Sequence, residues 1–386
     1  MRKTLITVAS LLIGCGVFSQ SIQDISFGTD STLEVITWNL EWYPKVGNST
    51  NFYLTQIIEE LNADIYALQE IHDTSYFNKL LKSLPDYNAF VAYNGNLSLA
   101  YLFNKNTIQV NDIYEIYSNK ARELPRSPLV IDFCFGEQDF IAINNHLKCC
   151  GNGSLNQNDP WDEETRRRDA CELLDKFIDD NHFNTNVIVL GDFNDLLIDN
   201  SNHNVFNIFL NNDLNYRFAD MDIADGGSQN WSYPDWPSHL DHILITDELF
   251  DEISNPNSIT ETIRIDDYMS GGWSTYETYI SDHRPVAVKF KLNESPLSIE
   301  ESAFTKEDLK VYPNPSDDRI SIGHQPATQK TKIRIFNSHQ KLIVEIFPVT
   351  GQKYSELNAT GFPRGIYFVK VYDNGVLSGV RKVVLQ

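Results

Sequence analysis

Eight side chains able to do chemistry stand at or just beyond the ends of apolar runs: Asn39, Glu70, His146, Asp192, Asn194, Asp241, Asp282 and His283. Carboxylates and amides dominate the set, and no C-x-x-C pair accompanies it. Such an oxygen-rich donor set suits a hard cation, Mg²⁺ or Mn²⁺, better than a thiolate-bound zinc. Histidine beside a carboxylate adds a group that can take up a proton near neutral pH. Two Asp-His pairs, Asp241-His242 and Asp282-His283, are each fused to a β run, which chance produces less often than one. His146 beside Lys148, and Arg126 just before a strand, suit contact with phosphate. Singly, these residues have plainer readings: Asn39 ends a strand, Glu70 sits on a solvated loop, and Asp192 with Asn194 makes an Asx turn.

The elements that must position them are short apolar runs. VIVLGDFND (187–195) carries Val187 to Leu190, the signature of a strand buried on both faces, and Gly191 ends it. If the strand continues, Asp192 and Asn194 share a side. LEVITWNLEWYP (33–44) leads to Asn39, ADIYALQEIHD (63–73) to Glu70, and DFIAINNHLKCCG (139–151) to His146. HLDHILIT (239–246) is entered through Asp241, and SDHRPVAVKFKL (281–292) through Asp282 and His283. Further strands are expected at 98–105 and at the end of 122–135. Helical spacing marks 50–61, 74–84 and 162–178. Arg166, Arg167 and Arg168 fall early in the last helix, and two of them are expected to be solvated or paired with Glu163 and Glu164. Alternating β and α patterns predict a layered α/β fold, which gathers strand ends at one edge. Residues 200–236 are loop-rich, with Trp231, Tyr233 and Trp236 able to stack on a base or sugar or to pack beneath a loop.

The whole chain has 386 residues and a formal net charge of −22, so a general basic coat for nucleic acid is excluded. A local cationic site with bound metal remains compatible with a phosphate substrate. Residues 1–20 place Arg2 and Lys3 before a short apolar stretch, the pattern of a signal peptide. Leu12-Ile13-Gly14-Cys15 also resembles a lipoprotein box; ordinary cleavage near Ser19-Gln20 is expected. Cys134, Cys149, Cys150 and Cys171 remain, an even number that suggests disulfides in an exported protein. Adjacent Cys149 and Cys150 rarely pair, so each is expected to reach elsewhere. Residues 293–308 form a polar linker, and from Leu309 short alternating strands predict a small β-sandwich.

Six motifs, TWNLE (37–41), ALQEI (67–71), NNHLK (144–148), GDFND (191–195), LDHILIT (240–246) and SDHRPV (281–286), give residues 30–292 a resemblance to the endonuclease/exonuclease/phosphatase superfamily. Its members include deoxyribonucleases, abasic-site endonucleases, sphingomyelinases and inositol-polyphosphate phosphatases. The resemblance implies a four-layer α/β/β/α sandwich followed by the small C-terminal β-sandwich. It implies that Asn39, Glu70 and Asp282 hold Mg²⁺ or Mn²⁺, and that His283, held by Asp241, is the general base. Asp192 would orient the water, Asn194 and His146 would contact the scissile phosphate, and Arg126 would bind phosphate. Where the deoxyribonuclease branch pairs its first histidine with an acid, Leu99 to Phe103 are apolar or aromatic.

YPNPSDD (312–318), LNATGFPRGIYFVKV (357–371) and VRKVVLQ (380–386) give residues 309–386 a resemblance to the type IX secretion sorting domain. The expected protein is a secreted or surface-attached metal-dependent phosphodiester hydrolase, a nuclease first of all. Alternatives are a lipid or inositol phosphate phosphodiesterase or phosphatase, or an inactive surface binding protein. Expected partners are nucleic acid or another phosphodiester and the type IX machinery, with no integral membrane segment after signal removal and a monomeric state.

Overall fold

The computed structural model describes residues 20–92, 97–182, 185–292, 309–337, 342–374 and 376–386. Apart from Gln20, the expected signal segment lies outside the described residues, as does the linker 293–308.

Twelve strands form two six-stranded sheets. In chain order they are β1 (Leu33–Tyr43), β2 (Ile65–Ile71), β3 (Tyr87–Val91), β4 (Ser98–Asn104), β5 (Ile108–Glu115) and β6 (Leu129–Phe135). Then come β7 (Gln138–His146), β8 (Asn186–Asp192), β9 (Tyr216–Phe218), β10 (Asp241–Thr246), β11 (Ile259–Thr262) and β12 (Val286–Phe290). The first sheet runs β11-β12-β1-β2-β4-β3 and the second β5-β6-β7-β8-β10-β9. Each has one parallel pair, β1 with β2 and β7 with β8. The parallel pairs are bridged by α1 (Asn48–Leu61) and α3 (Glu163–Asn181), with α2 (Thr74–Ser83) following β2.

Side-chain alternation explains the layers. Leu33 and Val35 of β1 enter a core between the sheets, while Ile36, Trp38 and Leu40 face a second core shared with α1 and α2. Ile188 and Leu190 of β8 join the inter-sheet core, whereas Val187 and Val189 pack beneath α3 with Leu174 and Ile178. A strand covered on both faces must be apolar at every position, so VIVL lacks the alternation of a half-exposed strand. The result is the four-layer α/β/β/α sandwich. Asp73 caps α2 by accepting from the Ser75 and Tyr76 N–H groups, and Asp162 caps α3 through Thr165 N–H.

The helices extend somewhat past their expected limits, to Asn48 at the start of α1 and Asn181 at the end of α3. Strands β3 and β5 lie at sheet edges, where exposed polar residues such as Asn88, Gln109 and Asp112 dilute the apolar signal. Within 200–236 the chain also forms β9, which pairs with β10.

The C-terminal region is built from β13 (Lys310–Tyr312), β14 (Arg319–Gly323), β15 (Lys332–Asn337), β16 (Leu342–Ile346), β17 (Tyr354–Asn358), β18 (Gly365–Asp373) and β19 (Val376–Leu385). A three-stranded sheet β13-β14-β17 and a four-stranded sheet β16-β15-β18-β19 enclose a core of its own, including Ile320, Ile322, Ile333, Ile335 and Val369. Arg334 forms an ion pair with Asp247, which follows β10 at the end opposite Asp241. Among the described residues no helix is long and apolar enough to cross a membrane.

Candidate active site

Register fixes the first row of the site. His146 on β7 is the direct partner of Asp192 on β8, and Asp192 is the direct partner of Asp241 on β10. Three neighbouring strands therefore place an imidazole and two carboxylates side by side. The other sheet supplies Asn39 from β1, Glu70 from β2, and Asp282 and His283 from the turn before β12.

Contacts across the sheets join the two groups. Asn39 Nδ2 donates to Asp192 Oδ2 at 3.0 Å and lies 3.4 Å from Glu70 Oε1. His283 Nδ1 sits 2.7 Å from Asp241 Oδ2, and its Nε2 is 3.9 Å from Asp192 Oδ2 and from Asp282 Oδ1. His146 Nε2 is 3.4 Å from Asp192 Oδ2 and 3.9 Å from Glu70 Oε1. The predicted residues thus meet at one edge of the sandwich. Arg126 lies on the bend before β6, close enough for its charge to act on His146. Lys148 instead turns back to the Cys149 carbonyl, 2.9 Å from its Nζ.

The GDFND segment turns rather than extends. Asn194 adopts a φ of 55°, and its N–H bonds Asp192 Oδ1 at 3.0 Å in an Asx turn. Its Nδ2 donates to the Leu147 carbonyl at 3.3 Å, so the turn is tied to the segment after His146. Gly191 has a φ of 149°, and a Cβ there would stand 1.9 Å from the Asn145 carbonyl oxygen. Only glycine permits this approach of β8 to β7.

Several positioning residues were not singled out by residue type. Gln69 Nε2 donates to Asn144 Oδ1 at 2.8 Å, and Asn144 Nδ2 donates to the Leu68 and Ala100 carbonyls, a buried polar tie between the sheets. Ser281 Oγ donates to the Asn39 carbonyl at 2.6 Å and accepts from His283 N–H at 2.9 Å. Tyr276 and Trp38 both donate to the His283 carbonyl. Glu41 accepts from Asp282 N–H at 2.8 Å. Gln69, Asn144, Trp38, Glu41 and Ser281 lie inside the six motifs, so the motifs carried a signal that single residue types did not.

The arginine run also resolves. Arg167 is buried, donating to Asp195 and to the Lys148 and Cys150 carbonyls, and it lies 3.5 Å from Glu164. Arg168 pairs with Asp169, and Arg166 donates to the Arg122 carbonyl. Of the two expected acidic partners, Glu164 lies beside Arg167, and Glu163 acts on Arg166 through its charge. The cysteines differ from expectation as well: Cys134, Cys149, Cys150 and Cys171 are all thiols.

Crowding of carboxylates in a dry site sets the protonation states. Burial raises Asp192 to about 6, with Asp241 and Glu70 adding to the shift. Burial also raises Asp282 to about 7, reinforced by Glu41. For His283 burial opposes the charge, but Asp241, Asp192 and Asp282 prevail and lift it to about 10. His146 moves the other way, well below the usual imidazole range, through burial and the charges of Arg126 and His283.

The donor set fits a hard cation. Asp282 Oδ1 and Asp241 Oδ1 are buried without a hydrogen-bond partner, as are Asn145 Oδ1 and His146 Nδ1. Asp192, Asp241 and His283 bring ligand atoms within 4.8 Å of one another. Buried carboxylate oxygens with no hydrogen-bond partner, one of them on Asp282 with its raised proton affinity, suit coordination of a hard cation. Asn39 Oδ1 accepts from Glu41 N–H at 2.9 Å, so its amide faces the carboxylates with the nitrogen.

One aromatic ring of the 231–236 segment borders the edge. The Tyr233 ring lies 4.9 Å from that of His283, Trp231 Nε1 bonds the Ile223 carbonyl, and Trp236 is 79% exposed.

Comparison with known proteins agrees with this architecture. Residues 36–283 match the Endonuclease/Exonuclease/phosphatase family, and residues 310–386 match the secretion system C-terminal sorting domain. None of the curated proteins compared matches the chain. Among solved structures, humanized D. rerio TDP2 carrying 14 mutations is similar, with 15% identity and a TM-score of 0.52 over 68% of this chain and all (100%) of that one. D. rerio TDP2 complexed with single strand DNA product gives the same identity, TM-score and coverage. At that identity the likeness shows the fold.

Proposed function

This chain belongs to the endonuclease/exonuclease/phosphatase family, and on that premise we propose that it is a Mg²⁺-dependent phosphodiesterase, a nuclease acting outside the cell. Its C-terminal sorting domain indicates secretion or cell-surface attachment through the secretion machinery. The observation that carries the catalytic reading is the His283–Asp241 pair at 2.7 Å, with His283 Nε2 directed into the carboxylate-lined edge.

Asp241 fixes the tautomer of His283: Nδ1–H donates to the carboxylate, leaving Nε2 to take a proton from water. Asp192, 3.9 Å from Nε2, orients that water. His146, kept neutral by burial and Arg126, and Asn194 contact the phosphate, and Arg126 supplies positive charge beside them. Asn39, Glu70 and Asp282 would hold the cation, Asn39 after rotation of its amide. A bound divalent cation supplies charge that offsets the phosphate's and brings His283 down into a working proton affinity. The apolar β4 offers His146 no acidic partner, in keeping with its orphaned Nδ1. His146 is therefore assigned to phosphate contact. The chain is taken to act as a monomer.

One structural neighbour was solved with single strand DNA product, which makes DNA the first substrate to try. Exposed Trp236, three residues after the Tyr233 that packs on His283, suits an unstacked base and also favours the second reading, a lipid phosphodiester. The test is a panel of duplex DNA, single-stranded DNA, RNA, sphingomyelin and inositol phosphates, each with Mg²⁺ and with EDTA. Cation-dependent cleavage of nucleic acid is expected; turnover that persists in EDTA sinks the metal assignment, and cleavage confined to lipid or inositol phosphate sinks the nuclease.

A further inference from the structure

Two cysteines that the proposed chemistry does not use sit side by side at the rim. Cys149 and Cys150 follow His146 by three and four residues, and both are exposed. The Cys150 thiol donates to Cys149 Sγ at 3.0 Å, and Cys150 has a φ of 71°. Lys148 Nζ is 3.8 Å from Cys149 Sγ. The backbone around the pair is held from α3. Arg167 Nη1 donates to the Lys148 and Cys150 carbonyls, both at 2.7 Å, and Glu164 Oε1 accepts from Asn152 N–H at 2.7 Å and Gly153 N–H at 2.6 Å. A buried ion pair thus fixes the chain on both sides while the two thiols face solvent.

Neither remaining cysteine is placed to compete. Cys134 registers with Asp139 near the start of β7, and His146 ends that strand. Seven residues of strand separate the two levels, ~23 Å, where a disulfide needs Cα atoms within about 7 Å. Cys171 is fully buried on the inner face of α3, and burial pushes its thiol far above the ordinary range.

We propose that Cys149 and Cys150 are a redox modification site that closes as a disulfide between adjacent residues in the oxidising surroundings the sorting domain leads to. The Cys149 thiolate, beside the Lys148 ammonium, attacks one sulfur of a small-molecule disulfide such as glutathione disulfide. A mixed disulfide forms and one glutathione thiolate leaves. The Cys150 thiolate then attacks the Cys149 sulfur and expels the second. Two electrons pass from the cysteine pair to the glutathione disulfide, and the protons of the two cysteine thiols end on two glutathione thiols. The closed ring staples the segment that begins just after His146.

The test treats the purified full-length chain with glutathione disulfide, alkylates remaining thiols without reductant, digests it and weighs the peptide that spans both residues. That peptide is expected unalkylated and lighter by the mass of two hydrogen atoms, becoming doubly alkylated only after dithiothreitol. Double alkylation without reductant, a lasting glutathione adduct on the wild-type pair, or linkage to Cys134 or Cys171 would overturn the proposal. Cys149→Ser and Cys150→Ser are each expected to trap one glutathione on the remaining thiol, since the resolving partner is gone. If neither traps it, the thiols are unreachable and the proposal fails. The readout is a mass, so it stands apart from any substrate assignment.

Discussion

Two buried histidine–aspartate groups are anchored on β10, the first through His242 and the second through Asp241, and they differ in what their spare atoms do. Asp220, His239 and His242 bring ligand atoms together as closely as Asp192, Asp241 and His283 do. In the Asp220 group the hydrogen-bonding atoms are used. His242 Nδ1 bonds Asp220 Oδ2 at 2.6 Å, and its Nε2 bonds the Asp195 carbonyl at 2.9 Å. A carbonyl only accepts, so Nε2 carries a proton; with Asp220 raising its proton affinity, His242 is an imidazolium. His239 Nδ1 accepts from Ser232 N–H, leaving Nε2–H for Asp220, and Asp220 Oδ1 accepts from Ile243 N–H. No nitrogen lone pair remains for a metal. In the His283 group Asp241 Oδ1 has no partner and His283 Nε2 has no carboxylate nearer than 3.9 Å. Residue type and proximity do not separate a structural cluster from a reactive one. Hydrogen-bond satisfaction does.

The sharpest way to break this contrast is to remove one histidine or aspartate from each group. His283→Ala should cost ~10²–10⁴-fold in turnover while the chain still folds. Wild-type rates would remove it as the base. Asp220→Ala should act on stability, costing roughly 3–5 kcal/mol in denaturant unfolding because a buried imidazolium loses its counter-charge. An unaltered unfolding curve would return Asp220 to the list of ligand candidates.

The cation prediction follows from proton affinities. Asp192 at about 6 and Asp282 at about 7 both lie above the ~3.9 of an unfolded Asp. Their contribution to the stability of the cation-free chain is full below that value and is lost as pH rises through 6 and 7. Bound cation competes with these protons. The rise in melting temperature on adding Mg²⁺ should therefore be small at pH 5 and grow to a plateau near pH 8. A pH-independent rise would place the cation elsewhere.

Smaller effects are expected farther out. Trp236→Ala should raise KM for single-stranded DNA by about tenfold, in keeping with ~1–3 kcal/mol per stacked base, with kcat unchanged. Loss of kcat instead would place Trp236 in the site. Removing residues 309–386 should leave specific activity unchanged, since the tail has its own core and its Arg334–Asp247 contact is at the far end of β10 from Asp241. A changed rate would show coupling between the two regions.

The sequence alone determined which strands deliver polar residues to the shared edge and in what order. A strand buried on both faces must be apolar throughout, so VIVLGDFND and HLDHILIT announce both the strand and the polar residue at its end. It also pointed to the second β unit, because apolar alternation restarts at Leu309. Only the tertiary structure decided which polar residues are spent on bonds and which are left open. Asp220 and Asp241 are both buried aspartates near a strand, yet one is saturated by two imidazoles and a backbone N–H while the other keeps a bare oxygen. Gln69 and Asn144 became a tie between sheets because packing brought β2 over β7, a contact between residues 75 apart in the chain. Local pattern is written in periodicity, whereas satisfaction is a property of partners brought from distant sequence, and those partners exist only after the sheets have stacked.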